Sequence, residues 1–380
     1  MSTATHANVN LETERERAAA PLRPQGPYPR RRVLAMPEYH PPLASRAMLR
    51  LDFNENTFAP SPKVVEALLS TTAEDLTIYP EREHAEAAVA QHFGLAPDEV
   101  LLANGVDEAI HLLCAAFLEE TDEALISTPT FFMYDVSVGM MTGRLTRVQA
   151  DETFAFPLDR FVAAITPSTK LILIASPNNP TGAVVSRADL LALCAAAPHA
   201  VVFVDEAYFH FHGDTTLNDI RHVPNLIVGR TFSKAYGLAS LRLGMLVGNA
   251  QLLGYVRKVA SPYNVNGIAL HVLPAALADA DYLAWYVAEV TAGRDRITAA
   301  LDEMGVRYWP SAANFVLFEI GPRHKELVSR MRTKGVLLRD RSSDPGCEGC
   351  VRITVGIHDH VTRGLEALRQ TLHEMQWTRP

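Results

Sequence analysis

The sequence runs to 380 residues, 48% hydrophobic and 21% charged, which is enough apolar chain for a large core and two domains. A net charge of −8 and an isoelectric point near 6.0 argue against nonspecific nucleic-acid binding, and no apolar run is long enough to span a bilayer. Four cysteines make no disulfide framework at this size, and residues 1–32, with Glu12, Glu14 and Glu16, lack a signal peptide's apolar region, so a reducing cytoplasm is the expected setting.

Residues 1–35 are rich in Ala, Arg and Pro without apolar periodicity and read as a flexible arm. Ordered structure is expected from Met36-Pro37-Glu38-Tyr39 onward. Leu51-Asp52-Phe53-Asn54-Glu55-Asn56 reads as a short extended piece, and Ser61-Pro62-Lys63 as a helix start. Tyr79-Pro80-Glu81 lies in a loop ahead of a helix over 83–93. From Val100 the pattern repeats, with strands predicted over 100–103, 124–127, 145–148, 170–175, 200–205, 226–229 and 243–248. Helical stretches lie between them, opening at Asn104-Gly105, near Phe131, and over 160–165 and 188–196. Short apolar runs alternating with helices predict an α/β fold with a mainly parallel sheet covered on both faces. Its functional residues belong in loops beyond the strands' carboxyl ends.

After Pro262 the character changes to a long helix over 282–304, a strand over 314–319, a helix over 325–334, strands near 336–339 and 352–355, and a last helix to about 375. That is a second, smaller α/β domain. The organisation expected is an arm over 1–35, a segment over 36–75 joining the small domain, a large domain over 76–270 and a small one over 271–380.

Several stretches carry chemistry. Lys234 in Thr231-Phe232-Ser233-Lys234-Ala235-Tyr236-Gly237-Leu238 follows an apolar strand, where an ammonium is costly to desolvate. An amine that sheds its charge there is a nucleophile toward carbonyls, although a snorkelling surface lysine would look the same. Asn104-Gly105-Val106-Asp107-Glu108 opens a helix whose free N–H groups suit a phosphate, or is a plain cap. Neither a dinucleotide glycine fingerprint nor a Walker A loop is present, which removes the support for a nicotinamide-dependent dehydrogenase. Ser176-Pro177-Asn178-Asn179-Pro180-Thr181-Gly182 follows a strand and presents a carboxamide that can hold a phenolic oxygen. Asp205 ends a buried strand and needs a cationic partner, such as a protonated heteroaromatic nitrogen, with Tyr208 placed to donate to the same ring. Arg242, and Arg352 with Arg339, are candidate anion clamps or surface ion pairs. Cys347-Glu348-Gly349-Cys350 has metal-type spacing without a second pair, and reads as a loop with free thiols.

In this order, the Asn-Pro-Thr-Gly turn, the Asp-x-x-Tyr, the Thr-x-Ser-Lys with its arginine and the Arg-Ile-Thr strand resemble the fold-type I pyridoxal-phosphate aminotransferases over residues 36–376. Within them the chain is most similar to the histidinol-phosphate aminotransferases, through Asp52-Phe53-Asn54-Glu55-Asn56, Tyr79-Pro80-Glu81, Asn104-Gly105-Val106-Asp107-Glu108, Thr130-Phe131-Phe132-Met133-Tyr134 and Leu338-Arg339-Asp340. The resemblance implies an aspartate aminotransferase-like large domain that binds pyridoxal 5'-phosphate. It implies Lys234 as the covalent anchor, Asp205 on the pyridinium nitrogen, Asn179 and Tyr208 on the phenolic oxygen, and Phe131 stacked on the ring. The Val106 and Asp107 amides, the Thr231 and Ser233 hydroxyls and Arg242 would hold the phosphate. Tyr79 would reach the cofactor of the partner in a homodimer, and Arg352, with Arg339, Tyr39 and Asn56, would bind the substrate's anionic end. Many relatives carry Tyr where this chain has Phe131, which keeps stacking and loses a hydroxyl contact.

The activity implied is transfer of an amino group from glutamate to imidazole acetol phosphate, giving histidinol phosphate and 2-oxoglutarate in histidine biosynthesis, with small-molecule substrates and neither nucleic-acid nor membrane partners. An aromatic amino acid aminotransferase and a decarboxylase of phosphorylated amino acids are the alternatives on the same fold.

Overall fold

A computed structural model describes residues 29–36, 38, 47–142 and 144–378. Arg31–Ala35 forms one short helix within the stretch read as an arm, whereas residues 1–28 and Tyr39 lie outside the described residues. The first strand, β1 (Leu49–Arg50), pairs only two residues. The piece read as extended over 51–56 does not continue it: the chain turns at Asn54, whose φ is +54°. Asn is one of the few residues with a side chain that adopt that left-handed conformation readily.

The large sheet is built from β2 (Val100–Ala103), β3 (Glu123–Thr128), β4 (Arg144–Gln149), β5 (Thr169–Ala175), β6 (Val201–Asp205), β7 (Leu226–Thr231) and β8 (Gly244–Gly248). Its spatial order is β2-β8-β7-β6-β5-β3-β4. β8 runs antiparallel to both neighbours, and every other pairing is parallel. The central strands are apolar at nearly every position because both faces are covered. Alternate residues divide between two cores. Leu102, Ile172, Val202, Val204 and Val228 face one layer of helices. Leu101, Leu171, Leu173, Phe203 and Ile227 face the other, which includes Gly105–Phe117. That helix buries Val106, Ala109, Ile110 and Leu113, the i, i+3, i+4, i+7 stripe of a helix laid on a sheet.

A third core lies around an antiparallel sheet of order β11-β12-β9, formed by β9 (Phe315–Glu319), β11 (Arg339–Asp340) and β12 (Cys350–Thr354), with β10 (Val336–Leu337) paired in parallel to β1. The helices Ala280–Glu303, His324–Thr333 and His358–Glu374 pack on it through Tyr286, Ile297, Leu327 and Leu368. The helix Gly267–Leu277 straddles residue 270 and contributes Val272, Leu273 and Leu277 to the core of the large sheet. Cys347 and Cys350 are both buried as free thiols against Phe154, Trp309 and Leu317. Among the described residues no helix is long and apolar enough to cross a membrane, and no group of three or more His, Cys, Asp and Glu side chains could hold a metal.

One buried ion pair anchors the middle of the sheet. The Arg230 guanidinium donates to Glu206 Oε2 from Nε at 3.0 Å and Nη2 at 2.9 Å, with the two side chains 4% and 3% exposed. It also donates to the Thr215 hydroxyl at 2.7 Å and lies 3.7 Å from the centre of the Phe209 ring. Removing one partner of such a pair strands a dry charge. Arg230→Ala should therefore lower unfolding free energy by about 3–5 kcal/mol in urea titrations, with part of the loss recovered by adding Glu206→Gln. A loss under about 1 kcal/mol would show that the pair is not the anchor described.

Candidate active site

Parallel pairing in register brings the carboxyl ends of three strands together, with Ala175 beside Asp205 and Asp205 beside Gly229. The segments that leave β5, β6 and β7 carry Asn179, Tyr208 and Lys234. Asp205 itself is 4% exposed. Its Oδ1 accepts from the Ala207 N–H and its Oδ2 from the Tyr134 hydroxyl, both at 3.0 Å. Burial outweighs these two donors and pushes the carboxyl up to about 6. The same burial, with Asp205 alongside, holds the Tyr134 phenol well above its usual range. Tyr134 carries no role in the sequence reading. The usable signal was its place one residue into a helix that packs beneath Phe131, whose ring it meets edge-on at 5.8 Å.

β7 ends at Thr231, whose hydroxyl accepts from the Ser233 N–H at 3.0 Å and so turns the chain toward Lys234. Lys234 is half-buried. Its Nζ donates to the Phe53 carbonyl at 3.3 Å and lies 5.8 Å from the centre of the Tyr208 ring. Tyr208 is buried, meets Phe315 edge-on, and its hydroxyl accepts from Asn54 Nδ2 at 3.0 Å.

Beside this group stands the start of the helix Gly105–Phe117, which no side chain caps. Gly105 has φ +82°, and a Cβ there would sit 2.5 Å from Arg242 Nη2, so the guanidinium lies directly against the helix start. Arg242 is oriented by Asp107 Oδ2 at 2.8 Å and the Ala239 carbonyl at 3.2 Å. Gly244 pairs with Thr231 across β7 and β8, and a Cβ on it would come within 2.7 Å of the Val106 nitrogen. Glycine at 244 thus lets the helix start settle beside Thr231. Free N–H groups, a helix dipole and an arginine at one point form an anion cradle.

Arg352 lies in mid-β12, 4% exposed. It donates through Nη1 to Asn179 Oδ1 and through Nη2 to the Asp52 carbonyl at 2.8 Å, while its buried Nε has no partner. Burial draws it down to about 9, still cationic at neutral pH. Arg339 is its register partner on β11, with a guanidinium 5.6 Å from the Phe53 ring centre. The two asparagines of the turn differ in use. Asn178 is tied to the Pro129 carbonyl and to the hydroxyls of Thr130 and Thr181, whereas Asn179 gives its oxygen to Arg352 and keeps its NH2 as a donor.

Two further residues named from the sequence, Asn56 and Tyr79, have contacts of their own. Asn56 uses its carboxamide to brace the loop after Lys234, donating to the Ala235 carbonyl at 3.3 Å and the Tyr282 hydroxyl at 3.1 Å and accepting from the Phe58 N–H. Tyr79 is 73% exposed and stacks on Tyr263 at 4.5 Å. Tyr39 lies outside the described residues.

The group brought together is an amine, a dry carboxylate, a phenol, a carboxamide donor and an anion cradle. These features fit a ligand that carries an aldehyde, a basic ring nitrogen, a phenolic oxygen and a phosphate, as pyridoxal phosphate does.

The pattern of the Aminotransferase class I and II family matches residues 46–368. Histidinol-phosphate aminotransferase 1 of a Nostoc species is 36% identical over 351 residues, 91% of this chain and 98% of that protein. Histidinol-phosphate aminotransferase of Methanococcoides burtonii is 32% identical over 86% of this chain and 90% of its own length. The crystal structure of histidinol-phosphate aminotransferase from Sinorhizobium meliloti in complex with pyridoxal-5'-phosphate superposes with a TM-score of 0.78 at 25% identity, covering 86% of this chain and 91% of that one.

The Asp205 environment sets a pH dependence. Its folded-state value of about 6 lies above the ordinary 3.8, so between those values the folded state holds a proton that the unfolded state releases. Stability of the cofactor-free protein then falls as pH rises through that window. Measured against Asp205→Asn, the cofactor-free wild type should lose up to about 3 kcal/mol between pH 4 and 7. Parallel stability profiles for the two proteins would overturn this.

Proposed function

The chain belongs to the class I and II aminotransferases, and on that premise we propose that it is a histidinol-phosphate:2-oxoglutarate aminotransferase of histidine biosynthesis. The observation that carries the site assignment is the buried Asp205 carboxylate at the end of the strand next to the one that leads to the Lys234 amine, with an uncapped helix start beside them. When bound, pyridoxal phosphate supplies an electron sink for the pair left on the donor's Cα.

The protein's own groups do the rest. Lys234 would hold the cofactor at its aldehyde carbon, and as a free amine it would be the base that takes and returns the donor's Cα proton. Asp205, fixed by Tyr134 and the Ala207 amide, keeps a proton on the ring nitrogen by being the anion that meets it in a dry site. Asn179 would donate its NH2, and Tyr208 its hydroxyl proton, to the phenolic oxygen. Phe131 would cover the ring face. The Val106 and Asp107 amides, Thr231, Ser233 and Arg242 would hold the phosphate.

Arg352, supported by Arg339 and Asn56, receives the substrate's anion. That anion is a carboxylate in the half-reaction with glutamate and a phosphate in the half-reaction with imidazole acetol phosphate. A planar guanidinium fork serves both anions, and its placement by Asn179 and the Asp52 carbonyl fixes the plane it presents. Exposed Leu69, Leu76, Ile78 and Tyr79 support a homodimer in which Tyr79 reaches the partner's cofactor. A cytoplasmic location suits the buried free thiols.

Two outcomes check the proposal. With pyridoxal phosphate bound, turnover on histidinol phosphate should exceed that on phenylalanine, tyrosine and aspartate. Turnover confined to the aromatic amino acids would replace the reading with an aromatic aminotransferase, and carbon dioxide release without a keto acid would replace it with a decarboxylase. Lys234→Ala should fold as the wild type does, lose at least about a thousandfold in turnover, and give no visible band that borohydride makes permanent. Substantial turnover in that variant would refute the assignment of Lys234.

A further inference from the structure

Asn54 stands outside every role given so far, yet its hydrogen bonds fix which way its carboxamide faces. Its backbone N–H donates to Thr354 Oγ1 at 3.0 Å, and the Thr354 hydroxyl in turn donates to Asn54 Oδ1 at 3.2 Å. With its oxygen facing Thr354, the carboxamide must turn its NH2 toward Tyr208, 3.0 Å away. An NH2 can only donate, so the Tyr208 oxygen accepts. The single phenol proton is thereby excluded from this contact and left for a partner on the pocket side, where Lys234 Nζ stands 5.8 Å from the ring.

The arrangement is rigid. Asn54 is 1% exposed, Thr354 is fully buried in β12, and the Asn54 carbonyl accepts from Asn314 Nδ2 at 3.1 Å. The φ of +54° is a conformation that Asn adopts and most residues with side chains avoid. Tyr208 is met by Asn54 from the segment after β1, Phe315 from β9 and Lys234 from the loop after β7, with Arg352 and Tyr134 close enough to interact with it electrostatically.

We infer that Asn54 is a positioning residue of this site: it forces Tyr208 to accept on its inner side, so that the phenol proton is committed to a ligand oxygen in the pocket. The inference rests on the reading of Tyr208 as the donor to the cofactor's phenolic oxygen. Asn54→Asp is nearly isosteric, tolerates the left-handed backbone and replaces the donor by an acceptor that competes for the Tyr208 proton. Asn54→Gly keeps the backbone conformation and removes the donor altogether.

The test titrates pyridoxal phosphate into wild type, Asn54→Asp, Asn54→Gly, Tyr208→Phe and the double variant Asn54→Asp/Tyr208→Phe, reading the dissociation constant and the position of the visible band. Asn54→Asp should weaken binding about tenfold and move the band in the direction that Tyr208→Phe moves it, with Asn54→Gly weaker by a few-fold. In the Tyr208→Phe background, Asn54→Asp should add nothing, since its partner atom is gone. Wild-type binding and band in Asn54→Gly, or effects that add in the double variant, would overturn the inference while a changed Tyr208→Phe leaves the reading of Tyr208 standing. Wild-type behaviour in Tyr208→Phe would sink that reading and the inference with it. Should Asn54→Asp fail to fold, Asn54→Gly still decides.

Discussion

A carboxylate removed from water must find a cation, keep its proton or cost the protein several kcal/mol, and Asp205 is the group on which that constraint falls. The end of β6 is dry because strands on both sides and helices on both faces shut water out. Two donors are not enough to compensate, and the carboxyl holds its proton into the mildly acidic range. The site is therefore built with an electrostatic deficit that a cation placed against Asp205 would remove. On the proposed reading, the affinity for a cationic ring nitrogen would draw on it.

The other groups reach the pocket through topology rather than through sequence proximity. Three parallel strands in register deliver Asn179, Tyr208 and Lys234 at one edge of the sheet. The antiparallel β8 brings Gly244 against the start of the helix Gly105–Phe117, so the anion cradle sits beside Thr231. Arg352 arrives from a separate antiparallel sheet and is fitted to the large sheet's turn through Asn179. The buried Arg230–Glu206 pair lies one residue from both Thr231 and Asp205, and keeps the neighbouring Glu206 charge from acting on the site unopposed.

Much of this was legible in the sequence. Continuous apolar runs such as Leu171-Ile172-Leu173-Ile174 are what a strand buried on both faces requires, and the strands of the large sheet lie where such runs stand, except β4, an edge strand of mixed sequence. Asp205, Lys234 and Arg352 were visible because charged residues at the ends or in the middle of apolar strands demand a partner. Less was legible where the signal is tertiary. β1 and β10 pair over two residues each, too short for any periodicity, and the left-handed turn at Asn54 is set by contacts with Thr354 and Asn314, hundreds of positions away. The free-thiol reading of Cys347 and Cys350 agrees with their packing against Phe154 and Trp309. The brace that the Asn56 carboxamide gives the loop beside Lys234 was likewise not legible, because its partners Ala235 and Tyr282 are distant in sequence.

Three consecutive residues join what the large sheet and the antiparallel sheet contribute. The Asp52 carbonyl receives Arg352, the Phe53 carbonyl receives Lys234, and the Asn54 carboxamide reaches Tyr208. Arg352 and Lys234 are consequently tied to adjacent points on a single strap of backbone, about ten ångströms long when extended. With the roles proposed above, a pull on Arg352 by its anion would act on the carbonyl next to the one that holds the lysine. Recognition at the far end of a substrate and reactivity at its near end would then share one mechanical element.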